Sequence, residues 1–208
     1  MTTFILTRHG ETVWHAENRY AGISDIALTD RGREQATHLA RWAQTAGLTA
    51  VWSSTLSRAQ QTARATADAT ELPLRTDERL REVDFGRGEG LTGAEMSERF
   101  PRERSAFDVD PVAHHLPGGE HPTDAASRFI AALREAEEPP GGGRVLVVAH
   151  STVTRLVLCT LLGIDPSLYR RVFPSLGNCS LTELRMTAGQ TALLTYNAPT
   201  VPGPATHP

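Results

Sequence analysis

The segment Arg144-Val145-Leu146-Val147-Val148-Ala149 constrains the fold more than any other. It is apolar without alternation, and three of its six residues are valine. A strand with one wet face alternates apolar and polar residues. A strand that does not alternate is covered on both faces, as in the middle of a parallel sheet lying between helices. The run stops at His150-Ser151, so polar groups stand at its carboxyl end. Two weaker runs repeat this pattern. Phe4-Ile5-Leu6 leads into Arg8-His9-Gly10, and Thr49 to Ser53 leads into Ser54.

The intervening sequence has helical spacing. Thr29 or Asp30 can cap a helix from about Arg31 to Ala46, with Ala36, Leu39, Ala40 and Ala43 on one face and Gly47 as the stop. Ser54 or Thr55 can cap a second Ala-rich helix, Thr55 to Thr70. Further helices are predicted over Thr92 to Phe100, Thr123 to Glu137 and Ser151 to Leu162, with a short strand over Pro73 to Arg75. Pro139 to Gly143 reads as a terminating turn. Ser180 to Arg185 and Thr191 to Tyr196 read as two last strands joined at Gly189. Strands alternating with helices imply an α/β domain: a three-layer α/β/α sandwich with a mostly parallel central sheet. One domain is expected over residues 1–196. Residues 79–122, irregular and rich in glycine, read as a lid-like insertion over the carboxyl ends of the strands. Residues 197–208 hold Pro199, Pro202 and Pro204, and read as a disordered tail.

In such sheets ligands bind at the carboxyl ends of the strands. Three of those ends carry Arg8-His9, Ser53-Ser54 and His150, which converge on one predicted site. Charge narrows the partner. Acidic residues number 24 against 21 basic, a net charge of −3, without the basic excess of a duplex binder. All 21 basic residues are arginine. Without lysine, P-loop nucleotide hydrolysis, Schiff-base chemistry and a lysine base are excluded. Arginine alone still permits forked recognition of phosphate or carboxylate. No stretch approaches the ~18 apolar residues of a membrane span, and the first apolar run is too short for a signal-peptide core. Cys159 and Cys179 form no C-x-x-C pair and read as buried reduced thiols, so a cytoplasmic setting is expected.

Individually, the candidate residues stay ambiguous. His9, between Arg8 and Gly10, could be a nucleophile facing an anion or a strand-end hydrogen-bonding residue. Arg58 could be an anion ligand or a surface charge. Glu82, near Arg79, Arg81 and Asp84, could be an acid or part of a surface ion pair. His150 could be a donor to substrate or a satisfied core histidine. His114, His115 and His121 surround Pro117-Gly118-Gly119-Glu120; their residue type suits metal, but their spacing fits no common structural zinc pattern. Ser151 lacks the G-x-S-x-G context of a hydrolase elbow.

Taken in order, four motifs resolve these readings. Leu6-Thr7-Arg8-His9-Gly10-Glu11-Thr12, followed by Trp14, Arg19, Gly22, Asp25, Leu28-Thr29 and Gly32, resembles the first motif of the histidine phosphatase superfamily, the phosphoglycerate-mutase-like group, branch 1. Ser53-Ser54-x-x-x-Arg58-Ala59-x-x-Thr62-Ala63, Leu80-Arg81-Glu82-x-x-Phe85-Gly86-x-x-Glu89-Gly90 and Val147-Val148-Ala149-His150 resemble the other three, in order, from about Thr3 to Arg185. The resemblance implies that His9 takes the phosphoryl group as phosphohistidine. It implies that Arg8, Arg58 and His150 hold the phosphate, and that Glu82 protonates the leaving oxygen. It implies no metal and no cofactor, because the arginines carry the positive charge. The partner it implies is a small phosphorylated substrate, with neither nucleic acid nor membrane, and a homodimer follows by family analogy alone.

Three positions depart from the family pattern. His15 follows Trp14 where an Asn that holds phosphate is usual, Ala21 stands where a Gln often precedes Gly22, and Ser151 replaces a glycine after the last histidine. His15 is then a replacement donor or part of a changed pocket. His15, Ser151, Arg19, Ala21 and Gly22 are the expected substrate-binding set, with Glu120 or His121 as further contacts. The short stretch between Glu82 and His150 points to a phosphatase rather than a mutase with a larger lid. Mutase-type phosphotransfer and non-catalytic phospho-ligand binding are the alternatives. Arg87, Arg99, Arg102 and Arg104 read either as a solvated face or as an extension of the positive surface toward a second anionic group.

Overall fold

A computed structural model describes residues 1–137, 142–187 and 189–200. Six strands form one sheet: β1 Thr2–Arg8, β2 Ala50–Ser54, β3 Leu74–Asp77, β4 Arg144–Ala149, β5 Leu181–Thr187 and β6 Gln190–Ala198. Their spatial order is β3-β2-β4-β1-β5-β6. The first four are mutually parallel, β5 runs antiparallel to β1, and β6 runs antiparallel to β5, back in the direction of the first four. The unalternating run is therefore an inner strand, flanked by β2 and β1, and its ends fall where the sequence places them.

The two faces of the sheet bury different clusters, because side chains alternate along a strand. Ile5, Val51, Leu146 and Val148 pack against Leu39 of α1 (Asp30–Ala43) and against Ala59, Ala63 and Ala67 of α2 (Ser57–Thr70). Small alanines let these helices lie close to the strands. Phe4, Leu6, Val145 and Val147 face the other way, into a larger core. There they meet Phe129 and Leu133 of α5 (Pro122–Glu135) and Val153, Leu156 and Val157 of α6 (Ser151–Leu161). This is the three-layer α/β/α arrangement expected from the sequence.

Between β3 and α5 lie α3 (Gly93–Arg99) and α4 (Pro101–Val109). The sequence reading anticipates α3 but not α4, a short helix that begins at Pro101 and buries only Phe107. Phe85, Met96, Phe100, Phe107 and Leu116 of this segment all enter the larger core. A last short helix, α7 (Tyr169–Val172), was likewise not anticipated. The expected tail begins too early. Asn197 and Ala198 belong to β6, and Asn197 Oδ1 accepts from the Gly177 N–H at 2.7 Å. Residues 201–208 lie outside the described residues, as does most of the turn expected over Pro139 to Gly143.

Candidate active site

The parallel register assembles the centre. It pairs Arg8 with Ala149, so the next residues after both strands, His9 and His150, leave the sheet side by side. The His9 N–H donates to the Ala149 carbonyl at 3.0 Å, and the two ring centroids stand 5.1 Å apart. His9 Nδ1 lies 2.7 Å from the Gly10 carbonyl, which can only accept. Nδ1 therefore carries the proton and Nε2 keeps its lone pair. Arg58 Nε–H donates to that lone pair at 3.1 Å, which agrees with the same tautomer. Gly10 is required by packing: a Cβ there would fall 2.4 Å from the Gly32 carbonyl oxygen at the start of α1. Burial, and then the charges of Arg58 and Arg8, hold the His9 imidazole well below its ordinary pKa, so it is neutral near pH 7.

Arg58 is fully buried. Its guanidinium donates to the carbonyls of Ser24 and Gly22, both at 2.6 Å, and of Ala21 at 3.3 Å. Neutral carbonyls satisfy its donors without cancelling its charge. That charge is directed at His9, and the surface-charge reading of Arg58 is excluded. Arg8 donates to the Leu176 carbonyl at 3.0 Å and to His15 Nε2 at 2.7 Å, while its Nε is a buried donor without an acceptor. Burial lowers its pKa to about 10, which still leaves it a cation at neutral pH.

His15 is an acceptor rather than the replacement donor the sequence allows. Its Nε2 faces two donors, Arg8 Nη2 and, at 3.3 Å, Asn178 Nδ2. Its Nδ1 accepts from the Thr12 N–H at 3.0 Å and lies 2.8 Å from Thr12 Oγ1. Burial, then the Arg8 charge, pull its pKa to about 4. His15 thus orients an arginine.

His150 is also fully buried. Its Nε2 lies 2.8 Å from Ser54 Oγ, which already accepts from the Leu56 N–H at 3.1 Å. The hydroxyl proton can go to His150 Nε2, the tautomer that carries the imidazole proton on Nδ1, a buried atom with no partner. Burial and Arg58 hold this histidine well below its ordinary pKa as well. It is a neutral N–H donor.

Glu82 is buried at the amino end of α6. Its Oε1 accepts from the N–H groups of Val153 (2.7 Å) and Val83 (2.9 Å), and its Oε2 from that of Thr152 (2.8 Å). One donor on Oε2 leaves room there for a proton. The surface ion-pair reading fails, since Arg79 pairs with Asp77 and Glu135, and Arg81 faces Glu78. Arg128 instead clamps this loop, donating to the carbonyls of Arg79, Arg81 and Glu82 while pairing with Glu120 at 2.7 Å. That overturns Glu120 as a substrate contact. His121 caps α5, and its ring stands 5.2 Å from that of His115. Among the described residues, no group of three or more His, Cys, Asp or Glu side chains is gathered as a metal site.

A cavity of about 410 Å³ opens in front of these groups. Arg8, His9, His15, Glu82 and Ser151 line its inner end, with Arg19 and Ala21 beside them. Arg58 and His150 do not line it but adjoin His9, Arg58 through its Nε–H and His150 ring to ring. Gly22 contributes its carbonyl to Arg58 and must lack a side chain, because a Cβ would fall 2.3 Å from the Val83 carbonyl oxygen. Arg19 is held by the Gly90 carbonyl and by Glu17 and Glu95. Arg87, Arg99, Arg102 and Arg104 do not line the cavity. Arg104 packs over Tyr20 and Phe107 and pairs with Asp108. The cations at the outer end are Arg155 and Arg170, which the sequence reading did not single out. It also missed Asn178, whose Nδ2 donates to the His9 carbonyl at 2.8 Å. Asn178 sits in an irregular loop, where no periodicity marks it.

Known proteins resemble this chain over most of its length. The profile of the histidine phosphatase superfamily (branch 1) matches residues 4–199. The "Probable phosphoglycerate mutase GpmB" of Yersinia pestis is 37% identical over 184 residues, 88% of this chain and 85% of that protein. Among solved structures, Bacillus stearothermophilus YhfR is similar with a TM-score of 0.88 at 29% identity, covering 95% of this chain and 98% of its own. Mycobacterial glucosyl-3-phosphoglycerate phosphatase, in complex with VO3, gives 0.85 at 30% identity, over 95% and 100%. The alpha-ribazole phosphatase of Shigella flexneri gives 0.83 at 25% identity, over 98% and 100%.

Proposed function

The chain belongs to the histidine phosphatase superfamily, and from that premise we propose that it hydrolyses a small phosphomonoester, without metal, through a phosphohistidine on His9. The observation that carries this reading is the fixed tautomer of His9, whose Nε2 lone pair points at the buried cation Arg58. A phosphoryl group entering between them takes over the Arg58 Nε–H. Arg8 Nε and His150 Nδ1, buried atoms of this site without a partner, supply further hydrogen bonds to its oxygens. Such donors act on charge that develops in the transition state and are typically worth ~3 kcal/mol each.

In the first step His9 Nε2 forms the N–P bond and the ester P–O bond breaks. The leaving oxygen takes a proton from Glu82. In the second step Glu82 takes a proton from water, whose oxygen attacks phosphorus and releases His9 and inorganic phosphate. Phosphoryl transfer asks mainly for positioning and charge, both of which the protein supplies here. Relatives of both kinds leave a second reading, in which the phosphoryl group returns to a bound phosphoglycerate as in a mutase; the likeness to GpmB favours it.

The test is phosphate release from 4-nitrophenyl phosphate in excess EDTA. Steady turnover that disappears in His9→Ala supports hydrolysis. Transfer to added phosphoglycerate without phosphate release supports the mutase. Turnover lost on adding EDTA contradicts both.

A further inference from the structure

The cavity continues outward beyond the residues that face phosphorus, to Arg155, Tyr169 and Arg170. Arg155 lies four residues after Ser151, so it is on the same face of α6, about 6 Å further along the axis. Its guanidinium stands over the Tyr169 ring, 4.9 Å from the centroid. Its hydrogen bonds go only to carbonyl oxygens, of Ser151 (3.2 Å), Phe173 (3.3 Å) and Pro174 (3.5 Å). Among the described residues, no carboxylate lies within 4.0 Å of it, whereas Arg19, Arg79, Arg104 and Arg128 all have one within 3 Å. Carbonyls orient a guanidinium without neutralising it.

Arg170 stands on the same aromatic ring, with its centroid 5.6 Å away, donates to the Tyr169 hydroxyl at 3.1 Å and has Asp108 no nearer than 4.0 Å. The Arg155 charge reaches the inner end, where it helps to lower the Arg8 pKa. The cavity thus has two cationic poles. One is built around His9, and the other is an arginine pair mounted on Tyr169. Trp14, Tyr20 and Phe85 also line the cavity. A substrate with a single phosphate uses the first pole and leaves the second idle.

We propose that Arg155, assisted by Arg170, binds a second anionic group on the alcohol part of the substrate. The substrates are then phosphomonoesters that also carry a carboxylate or a second phosphate. This inference rests on the phosphatase reading for what happens at the inner pole, but its test does not depend on turnover.

The test compares three non-hydrolysable probes by calorimetry: benzylphosphonate, 4-carboxybenzylphosphonate and the corresponding bisphosphonate of p-xylylene. The parent binds the two doubly anionic probes at least tenfold more tightly than benzylphosphonate, and the larger gain tells carboxylate from phosphate. Arg155→Gln reduces the preference below twofold, and Arg155→Lys keeps part of it. Should Arg155→Gln lose its fold, seen as a lost thermal transition, Arg170→Gln carries the test with a two- to fivefold loss of preference. Equal affinity for all three probes in the parent overturns the proposal. So does a preference that survives Arg155→Gln, because the charge of the inner pole alone would then explain it. A parent that shows the preference but releases no phosphate from phenyl phosphate overturns the phosphatase reading and leaves the subsite standing.

Discussion

The inner and outer ends of the cavity are built by different means. At the inner end regular elements fix the working side chains: His9 leaves β1, His150 leaves β4, Arg58 stands in α2, and Glu82 is gripped by the first N–H groups of α6. His9, Arg58, Glu82 and His150 are all buried, and each has at least one polar atom tied to a backbone group or to another side chain. At the outer end Arg155 stands on α6, but the other walls come from the short helix α7 and the irregular loop after it, and the contacts are stacked rings and guanidinium groups. The chemistry therefore sits on elements that position atoms tightly, and recognition of the rest of the substrate sits where sequence can vary without disturbing the sheet.

Variants can break this comparison. The largest effect after loss of His9 belongs to Glu82. Glu82→Gln should slow alkyl phosphates, whose leaving groups need a proton, by ~10²–10⁴, and 4-nitrophenyl phosphate far less. Equal slowing across a leaving-group series removes Glu82 as the acid and turns the inner end into a mere binding site.

Acidification probes the burial of the inner end. His9 and His150 have pKa values well below 6.5, and His15 sits at about 4. Between those values and 6.5 the unfolded chain binds protons that the folded chain does not. Stability is thus fully present above about pH 6.5 and falls as pH drops, by at most ~1.4 kcal/mol per pH unit for each histidine. The Tm should decline from pH 7 to pH 5, and His15→Asn should flatten the decline. A Tm that is constant over that range contradicts the buried neutral state.

Ser54 tests whether tautomers matter. Ser54→Ala removes the hydroxyl that places the His150 proton on Nδ1, and kcat should fall about tenfold, with Ser54→Thr restoring most of it. The smallest change is expected at the outer end. Tyr169→Phe keeps the ring and loses one acceptor for Arg170, so KM for phenyl phosphate should move by less than about threefold. A larger effect there than at Ser54 would reverse the comparison.

The same division decides what could be read from the sequence. The apolar run 144–149 has the right ends because nothing but a doubly covered strand accommodates it. Residues that follow strands, such as His9 and His150, are legible because the architecture says where strand ends meet. Arg58 and Glu82 needed the ordered motifs, since a helical arginine and a glutamate among arginines look like surface charges until the fold buries them. The role of His15 was not legible at all. Whether it donates or accepts depends on Arg8 and on Asn178, which is 163 residues away. Arg155 was missed for a related reason: what sets it apart is the lack of a carboxylate nearby, a property of space and not of the chain.

The most direct test of the account is to trap the covalent intermediate. The protein is quenched in alkali during turnover of an activated phosphate ester, cut with trypsin, and the fragment His9 to Arg19 is sequenced by mass spectrometry. The account predicts an acid-labile phosphoryl group on His9 and none on His15, the other histidine of that fragment. Turnover with an unmodified fragment, or with the group on any residue other than His9, contradicts it.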